Sequence, residues 1–158
     1  MTQRLALNTF KTIVASTPLV SIDLVICNSQ NQALLGLRNN RPAQGYWFVP
    51  GGRICKDETF DIAFQRLTFE ELGFDYNINN ATFIGHYQHL YQDNFSEDNF
   101  STHYVVLGYL IEKDIDLNKL PLEQHKNYQW WNIDELLNSP KVHDNTKAYF
   151  INNHLNLR

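Results

Sequence analysis

The spacing of apolar residues changes several times along the chain, and each spacing predicts a different element. Between residues 7 and 15 the apolar positions recur at a helical period, and Pro18 stops the pattern, which predicts a short amphipathic helix. The apolar segment 19–27, LVSIDLVIC, is followed by the polar turn NSQNQ and by a second apolar segment at 33–37. This order predicts a β-hairpin.

The middle of the chain carries turn residues and then a second helical period. Residues 41–52, RPAQGYWFVPGG, contain two prolines and three glycines, which predicts a loop around a short aromatic strand at 46–49. Asp57 is expected to cap a helix that begins near Thr59, and Gly73 is expected to end it in a left-handed conformation. The predicted buried stripe of this helix consists of Phe60, Ala63, Phe64 and Leu67.

Two longer strands are predicted in the second half, at 81–90 and 103–111, with the polar loop QDNFSEDNFST between them. We expect this loop at the ligand-binding face, because loops carry function more often than the elements they join. The rest of the pattern predicts a short strand, a helical turn and a last helix, at 128–131, 133–137 and 145–152. Strands that bracket a few helices predict a mixed α/β sandwich.

Composition bounds the organisation of the chain and its partners. With 158 residues and 43% hydrophobic content, we expect a single domain over residues 1–158. The net charge of −4 without a basic block argues against nucleic acid as a partner. The two cysteines make no disulfide framework, and the chain shows neither the apolar core of a signal peptide nor a run of roughly 20 apolar residues. A cytoplasmic protein without membrane contact is expected.

The segment RLTFEELG, at 66–73, places two adjacent glutamates beside an apolar helix face. At about 100° per residue, Glu71 projects on the same face as Leu67, whereas Glu70 points to the side. Adjacent glutamates usually form a solvated face, but a carboxylate at the end of a buried stripe must be hydrated, paired or metal-bound. VPGGR lies just upstream, and bare backbone with a guanidinium suits phosphate oxygens. Together the two segments favour a metal–diphosphate site.

The segment GGRICKDETFDIAFQRLTFEELGF resembles the Nudix box, whose general form is G-x5-E-x7-R-E-U-x-E-E-x-G-U with U an apolar residue. Two positions depart from the box: Leu67 replaces its first helical glutamate, and Thr68 replaces an apolar residue. The resemblance implies an α/β Nudix fold, with a mixed β-sheet sandwiched between α-helices. The matching positions are Gly52, Glu58, Arg66, Glu70, Glu71, Gly73 and Phe74.

Because that glutamate is absent, the chain is similar to the GDP-mannose mannosyl hydrolase branch of the Nudix family. Segments typical of this branch extend over nearly the whole chain: STPLVS, NRPAQGYWFVPGGR, KDET, DNFS, THYVVLG and EQH. The resemblance implies Mg²⁺-dependent hydrolysis of GDP-α-D-mannose to GDP and mannose, by water attack at the anomeric carbon with inversion. GDP-glucose is a further candidate substrate. The resemblance also implies a homodimer.

The same resemblance assigns the base and the metal ligands. His125, in EQH, is the base that deprotonates water, although a lone histidine in a polar stretch is more often an ordinary surface residue. One Mg²⁺ per subunit, for which Mn²⁺ can substitute, is held by the backbone carbonyl of Gly51, by Glu71 and by Gln124. Because Leu67 removes one carboxylate, the site is expected to hold a single ion that neutralises the leaving diphosphate.

Polar residues elsewhere complete the predicted site. Arg38 and Arg53 are the candidates for holding the diphosphate and are counted with His125 as catalytic, because a planar guanidinium matches phosphate geometry. Asp23 interrupts an apolar strand, so this acid needs a partner, either a sugar hydroxyl or a donor on a neighbouring strand. Three further residues are expected either to border the sugar pocket or to pack structurally: His89, Tyr91 and Tyr104.

Two alternatives to this function stay open. A Nudix nucleotide-sugar diphosphatase would attack phosphorus and give GMP and a sugar phosphate, and a catalytically inactive domain would act as a nucleotide-sugar sensor. Within the box, Arg66 is expected to orient the helix through Glu70 or Glu58. Glu70 is expected to lie at the surface or in a salt bridge, not at the metal.

Overall fold

The computed structural model describes residues 4–121 and 125–151, with the side chains of residues 125 and 126 outside that description. The strands are β1 Leu19–Cys27, β2 Gln32–Arg38, β3 Trp47–Phe48, β4 Gly51–Arg53, β5 Thr82–Tyr91, β6 Thr102–Glu112 and β7 His125–Asn132. The α-helices are α1 Leu7–Ser16, α2 Phe60–Leu72, α3 Ile133–Asn138 and α4 Asp144–Ile151. No helix of the described residues has the length and apolarity needed to cross a membrane.

The strands form one mixed sheet whose main path runs β3-β2-β1-β6-β5. β4 pairs with β1 and β7 pairs with β2 outside that path. β1 and β6 are parallel from the pair Leu19–Tyr104 to the pair Cys27–Glu112, whereas β1 and β2 are antiparallel, which confirms the predicted hairpin. A central strand that is covered on both faces requires a nearly continuous apolar run, and LVSIDLVIC in β1 provides it.

Helices cover both faces of the sheet, which confirms the predicted sandwich. Successive residues of β1 point to opposite faces, because side chains alternate along a strand. Leu24 belongs to the buried cluster that contains Phe64 of α2. Val25 belongs to the cluster on the other face, with Leu136 of α3 and Tyr149 of α4.

Gly51 and Gly52 were predicted as loop, and this prediction is wrong because they form β4 together with Arg53. This strand pairs antiparallel with β1 and places Gly51 opposite Asp23. A Cβ on Gly51 would lie only 2.5 Å from the Ile22 carbonyl oxygen, so the close pairing requires a glycine there. Turn-forming residues became a strand through pairing with a segment about thirty positions earlier.

Helix α2 begins and ends near the predicted positions. Thr59 rather than Asp57 is the N-cap, since Thr59 Oγ1 accepts a hydrogen bond of 3.2 Å from the Ile62 N–H. Gly73 ends the helix with a φ of 81°, as predicted. Phe60 was predicted to be buried but is 57% exposed, because the buried face starts one turn into the helix. The other predicted stripe residues are buried: Ala63, Phe64 and Leu67.

Candidate active site

One pocket brings together polar residues from five strands. It has an empty volume of about 580 Å³, counted to its open mouth. Residues of β1, β2, β4, β5 and β6 meet there, although they are far apart in sequence. The roles predicted for these residues remain predictions, but their proximity is a structural fact. The residues singled out from the sequence that line the pocket are Asp23, Arg38, Gly51, Arg53, His89, Tyr91 and Tyr104.

Two arginines supply the positive charge of the pocket. Arg38 ends β2, and its Nε donates a hydrogen bond of 2.9 Å to the Pro42 carbonyl oxygen. The Arg53 guanidinium carbon lies 5.0 Å from the centre of the Phe10 ring, in a cation–π arrangement with α1. Neither guanidinium forms an ion pair with a carboxylate of the described residues. Both are therefore placed to attract an anionic ligand.

Asp23 is the acid of the pocket, and it is 7% exposed. The Tyr149 hydroxyl of α4 donates a hydrogen bond of 2.5 Å to Asp23 Oδ2. Burial raises the pKa of Asp23 to about 7, while this hydrogen bond and the nearby Arg38 charge act in the opposite direction. The hydrogen-bond donor to Asp23 within the protein therefore comes from helix α4. The predicted donor on a neighbouring strand is wrong.

The three other predicted pocket residues have uncharged rings: His89, Tyr91 and Tyr104. Burial and the nearby His143 lower the pKa of His89 to about 4, so the His89 ring is uncharged at neutral pH. Burial raises the pKa of Tyr91 to about 12 and also raises that of Tyr104. The His89 ring centre lies 5.8 Å from that of Phe48, which also lines the pocket. These side chains line the pocket, and the His89 ring also packs against its aromatic neighbours.

Arg66 joins α2, the box helix, to β4, the pocket strand. Its Nε and Nη2 donate hydrogen bonds of 2.7 and 2.8 Å to the two carboxylate oxygens of Glu58, and its Nη1 donates one of 3.0 Å to Glu70. Arg66 Nη2 also donates to the Arg53 carbonyl oxygen at 2.9 Å. Both carboxylates predicted as partners are therefore used, and these bonds raise the pKa of Arg66. The salt-bridge role predicted for Glu70 is confirmed.

The buried end of α2 carries Glu71, as the helical wheel predicted. Glu71 and Leu67 are each 2% exposed, whereas the Glu70 side chain is 50% exposed. A Cβ on Gly52 would lie 2.6 Å from Leu67 Cδ2, so Leu67 packs directly over the pocket strand. An apolar side chain thus fills the place where the box has a glutamate.

Candidate metal ligands are few among the described residues. No three His, Cys, Asp or Glu side chains among them lie in an arrangement for holding a metal ion. Glu71 is a buried carboxylate one turn beyond Leu67, and Gly51 presents bare backbone beside Asp23 Oδ1. Carboxylate and carbonyl oxygens are the ligands that Mg²⁺ prefers.

The EQH segment lies at the edge of the described structure. Gln124 is outside the described residues, and only the backbone of His125 is described. His125 begins β7, and the register places it opposite Arg38 of β2. The Tyr128 hydroxyl of the same strand donates a hydrogen bond of 3.5 Å to the Glu71 carbonyl oxygen. β7 therefore connects the strand that carries Arg38 with the helix that carries Glu71.

Several residues of the site carried no signal in the sequence. Ser21, Pro42 and Phe48 line the pocket, and although each lies in a segment typical of the branch, none of them was predicted to be a site residue. Phe10 and Tyr149 contact pocket residues from helices at opposite ends of the chain. An isolated aromatic on an amphipathic helix predicts burial alone, so neither contact could be read from periodicity.

Known proteins resemble this chain in sequence and in fold. A family model of the NUDIX domain matches residues 17–153, and the chain belongs to the Nudix hydrolase family. The low-salt glycan biosynthesis protein Agl8 of Haloferax volcanii is 41% identical over 115 residues, which cover 73% of this chain and 72% of Agl8.

Solved structures agree on the fold. The MutT NUDIX hydrolase of Burkholderia pseudomallei has a TM-score of 0.64 at 22% identity, covering 85% of this chain and 96% of that one. The NUDIX domain of Shewanella oneidensis NrtR, in complex with ADP ribose, has a TM-score of 0.63 at 17% identity, covering 92% and 95% of the two chains. The Nudix fold expected from the sequence is confirmed.

Proposed function

We propose that the protein hydrolyses GDP-α-D-mannose to GDP and mannose, with water attacking the anomeric carbon and inverting its configuration. The observation that carries this proposal is the buried contact of Leu67 with Gly52, which sets an apolar side chain where the Nudix box has a glutamate. GDP-glucose is a second candidate substrate for the same reaction.

The end of α2 contains one buried carboxylate. Glu71 is buried, Glu70 is turned toward Arg66, and Leu67 has no carboxylate. Attack on phosphorus by metal-activated water depends on several carboxylates that hold two or more ions. A site with fewer acids is better suited to stabilising a departing diphosphate than to generating a nucleophile at phosphorus.

The charges of the pocket suit that leaving group. In the proposed reaction the bond between the anomeric carbon and the diphosphate oxygen breaks, and its electron pair stays on GDP. Guanidinium groups at Arg38 and Arg53, without carboxylate partners in the described residues, would stabilise this developing charge. Because they stabilise the transition state more than the substrate, no general acid is required.

His125 is the proposed base, and Gly51, Glu71 and Gln124 are the proposed ligands of one Mg²⁺. A bound Mg²⁺ would neutralise charge on the diphosphate. The proton of the attacking water passes to the His125 imidazole, since histidine titrates near neutral pH. Inversion requires the base and the leaving group on opposite faces of the sugar, as in inverting glycoside hydrolysis.

The comparisons support a nucleotide sugar as the substrate class. Agl8 is named for glycan biosynthesis, a process that draws on activated sugars, and it covers most of this chain at 41% identity. The NrtR NUDIX domain was crystallised with ADP ribose, which is a diphosphate that joins a nucleoside to a sugar. A GDP-sugar has the same chemical layout.

Hydrolysis in ¹⁸O-labelled water tests the bond that is broken. We expect the label in mannose and none in GDP, as read by mass spectrometry of both products. Label in a phosphate, with GMP and mannose phosphate as products, would establish attack at phosphorus instead. A protein that binds GDP-mannose with Mg²⁺ and releases no product would identify a sensor and end the proposal.

Substitution of the base tests the other half of the mechanism. His125→Gln is expected to lower kcat by about a hundredfold with a modest change in KM, because general-base assistance is lost while binding is kept. Steady-state kinetics with GDP-mannose measure both constants. Turnover close to that of the wild type would remove His125 from the mechanism.

A further inference from the structure

We infer that Tyr149 of α4 is a positioning residue, whose hydroxyl fixes the Asp23 carboxylate so that Asp23 Oδ1 is presented to the sugar of a bound nucleotide sugar. This inference rests on the proposed function for the identity of the ligand. The observation behind it is the hydrogen bond from the Tyr149 hydroxyl to Asp23 Oδ2, between two buried side chains.

The two carboxylate oxygens of Asp23 have different neighbours. Asp23 lies between two glycines of the neighbouring strands, Gly51 of β4 and Gly108 of β6. A Cβ on Gly51 would lie 2.6 Å from Asp23 Oδ1, so this oxygen sits over the bare backbone of the pocket strand. Asp23 Oδ2 points instead to the Tyr149 hydroxyl. The hydrogen bond therefore selects one orientation of the carboxylate.

Gly108 makes the approach of Tyr149 possible. A Cβ on Gly108 would lie 3.2 Å from Tyr149 Cε1 and 3.1 Å from Tyr87 Cε1, which is closer than ordinary contact. The absence of a side chain at this position lets the Tyr149 ring reach the sheet beside Asp23. The ring is 1% exposed and its centre lies 4.5 Å from that of Tyr87, so packing holds it in place.

α4 is also anchored to the pocket at a second point. Thr146 of α4 is fully buried, and its Oγ1 accepts a hydrogen bond of 3.3 Å from the Val49 N–H. Val49 lines the pocket. The segment before α4 adds backbone bonds, since His143 N–H donates to the Trp47 carbonyl oxygen at 3.2 Å. The position of the Tyr149 hydroxyl is thus set by the same segment that forms the pocket wall.

A double-mutant cycle tests whether Tyr149 acts through Asp23. Tyr149→Phe keeps the ring and removes the hydroxyl, and it is expected to lower kcat/KM for GDP-mannose by about tenfold, the effect of one hydrogen bond. In the Asp23→Ala background the same change is expected to have no further effect. Inhibition by GDP, which has no sugar, should change by less than about twofold. Tyr87→Phe removes a neighbouring hydroxyl not bonded to Asp23 and is the matched control, expected to behave as wild type.

Other outcomes overturn the inference. Equal losses from Tyr149→Phe in the presence and absence of Asp23 would show that Tyr149 acts independently, and wild-type kinetics of Tyr149→Phe would show that it does not act at all. Wild-type protein that leaves GDP-mannose intact would instead contradict the proposed function. In that case thermal unfolding of the wild type, the two single variants at Tyr149 and Asp23 and their double variant tests the pairing. We expect Tyr149→Phe to lower Tm only when Asp23 is present, and equal decreases in both backgrounds would refute the pairing.

Discussion

Arg66 and Arg53 belong to one network but have opposite surroundings. Arg66 donates to Glu58, to Glu70 and to the backbone carbonyl of Arg53, so its donors are used within the protein. The Arg53 guanidinium lies over the Phe10 ring, lines the pocket and has no carboxylate partner in the described residues. The contrast separates a cation that holds the fold together from one that is left open for an anionic ligand.

Two buried acids, Glu58 and Asp23, differ in the same way as the two arginines. The Glu58 side chain is 8% exposed and is held by two hydrogen bonds from Arg66. Asp23 is equally buried, but it forms no ion pair within the described residues and has the Tyr149 hydroxyl as its donor. A buried acid that is fully paired supports structure, whereas one that lacks an ion pair at a pocket is held for a function.

The largest effect is expected from removing the open cation. Arg53→Ala should lower kcat/KM for GDP-mannose by roughly a thousandfold, because a preorganised charge on the leaving group is lost. Its free energy of unfolding should fall by only about 1 kcal/mol or less, because the contact with the Phe10 ring is lost but no described carboxylate loses a partner. Arg53→Lys, which keeps the charge and loses the planar fork, should recover part of the activity. A loss of stability that matched the loss of activity would erase the contrast with Arg66.

Removal of the paired cation should act on the fold instead. Arg66→Met is expected to lower the free energy of unfolding by about 3 kcal/mol or more, because it leaves the buried Glu58 charge without its cation. Denaturant unfolding measures this. The double variant Arg66→Met with Glu58→Gln should regain part of the loss, since the buried charge is then removed as well. If the two changes destabilise additively, the pair is not the unit that the structure indicates.

The buried acid of the pocket predicts a pH dependence. Burial raises the pKa of Asp23 from 3.8 to about 7, so between these values the unfolded chain is ionised while the folded protein keeps the proton. This group therefore lowers stability as pH rises from about 4 to 7. Asp23→Asn cannot ionise, so its stability relative to wild type should increase over that range, on the order of 3 kcal/mol, and then level off. Unfolding at several pH values tests this, and a constant difference would contradict it.

The smallest effect is expected at the exposed partner of Arg66. Glu70→Gln should lower the free energy of unfolding by about 0.5 kcal/mol or less, because this i,i+4 pair is half-exposed. It should leave the Mg²⁺ dependence of activity unchanged. Glu71→Gln is the matched variant and should raise the Mg²⁺ concentration needed for half-maximal activity. Equal effects of the two variants would place the metal ligand elsewhere.

The local elements of the fold could be predicted from the sequence because periodicity is a property of neighbouring residues. The 2- and 3.6-residue periods located the long strands and α2, and the helical wheel separated the buried Glu71 from the exposed Glu70. The identity of Leu67 in the box was also fixed by the sequence alone. The buried position of Phe60 was predicted wrongly, because periodicity does not say where a helix meets the sheet.

The tertiary structure alone decided which side chains meet. β4 exists because its glycines pair with β1, and no local signal in two glycines and an arginine predicts a strand. The contacts of Tyr149 with Asp23 and of Phe10 with Arg53 join residues 126 and 43 positions apart in sequence. Such contacts depend on strand register and helix placement, which are set by packing of the whole core and not by the residues on either side of each partner.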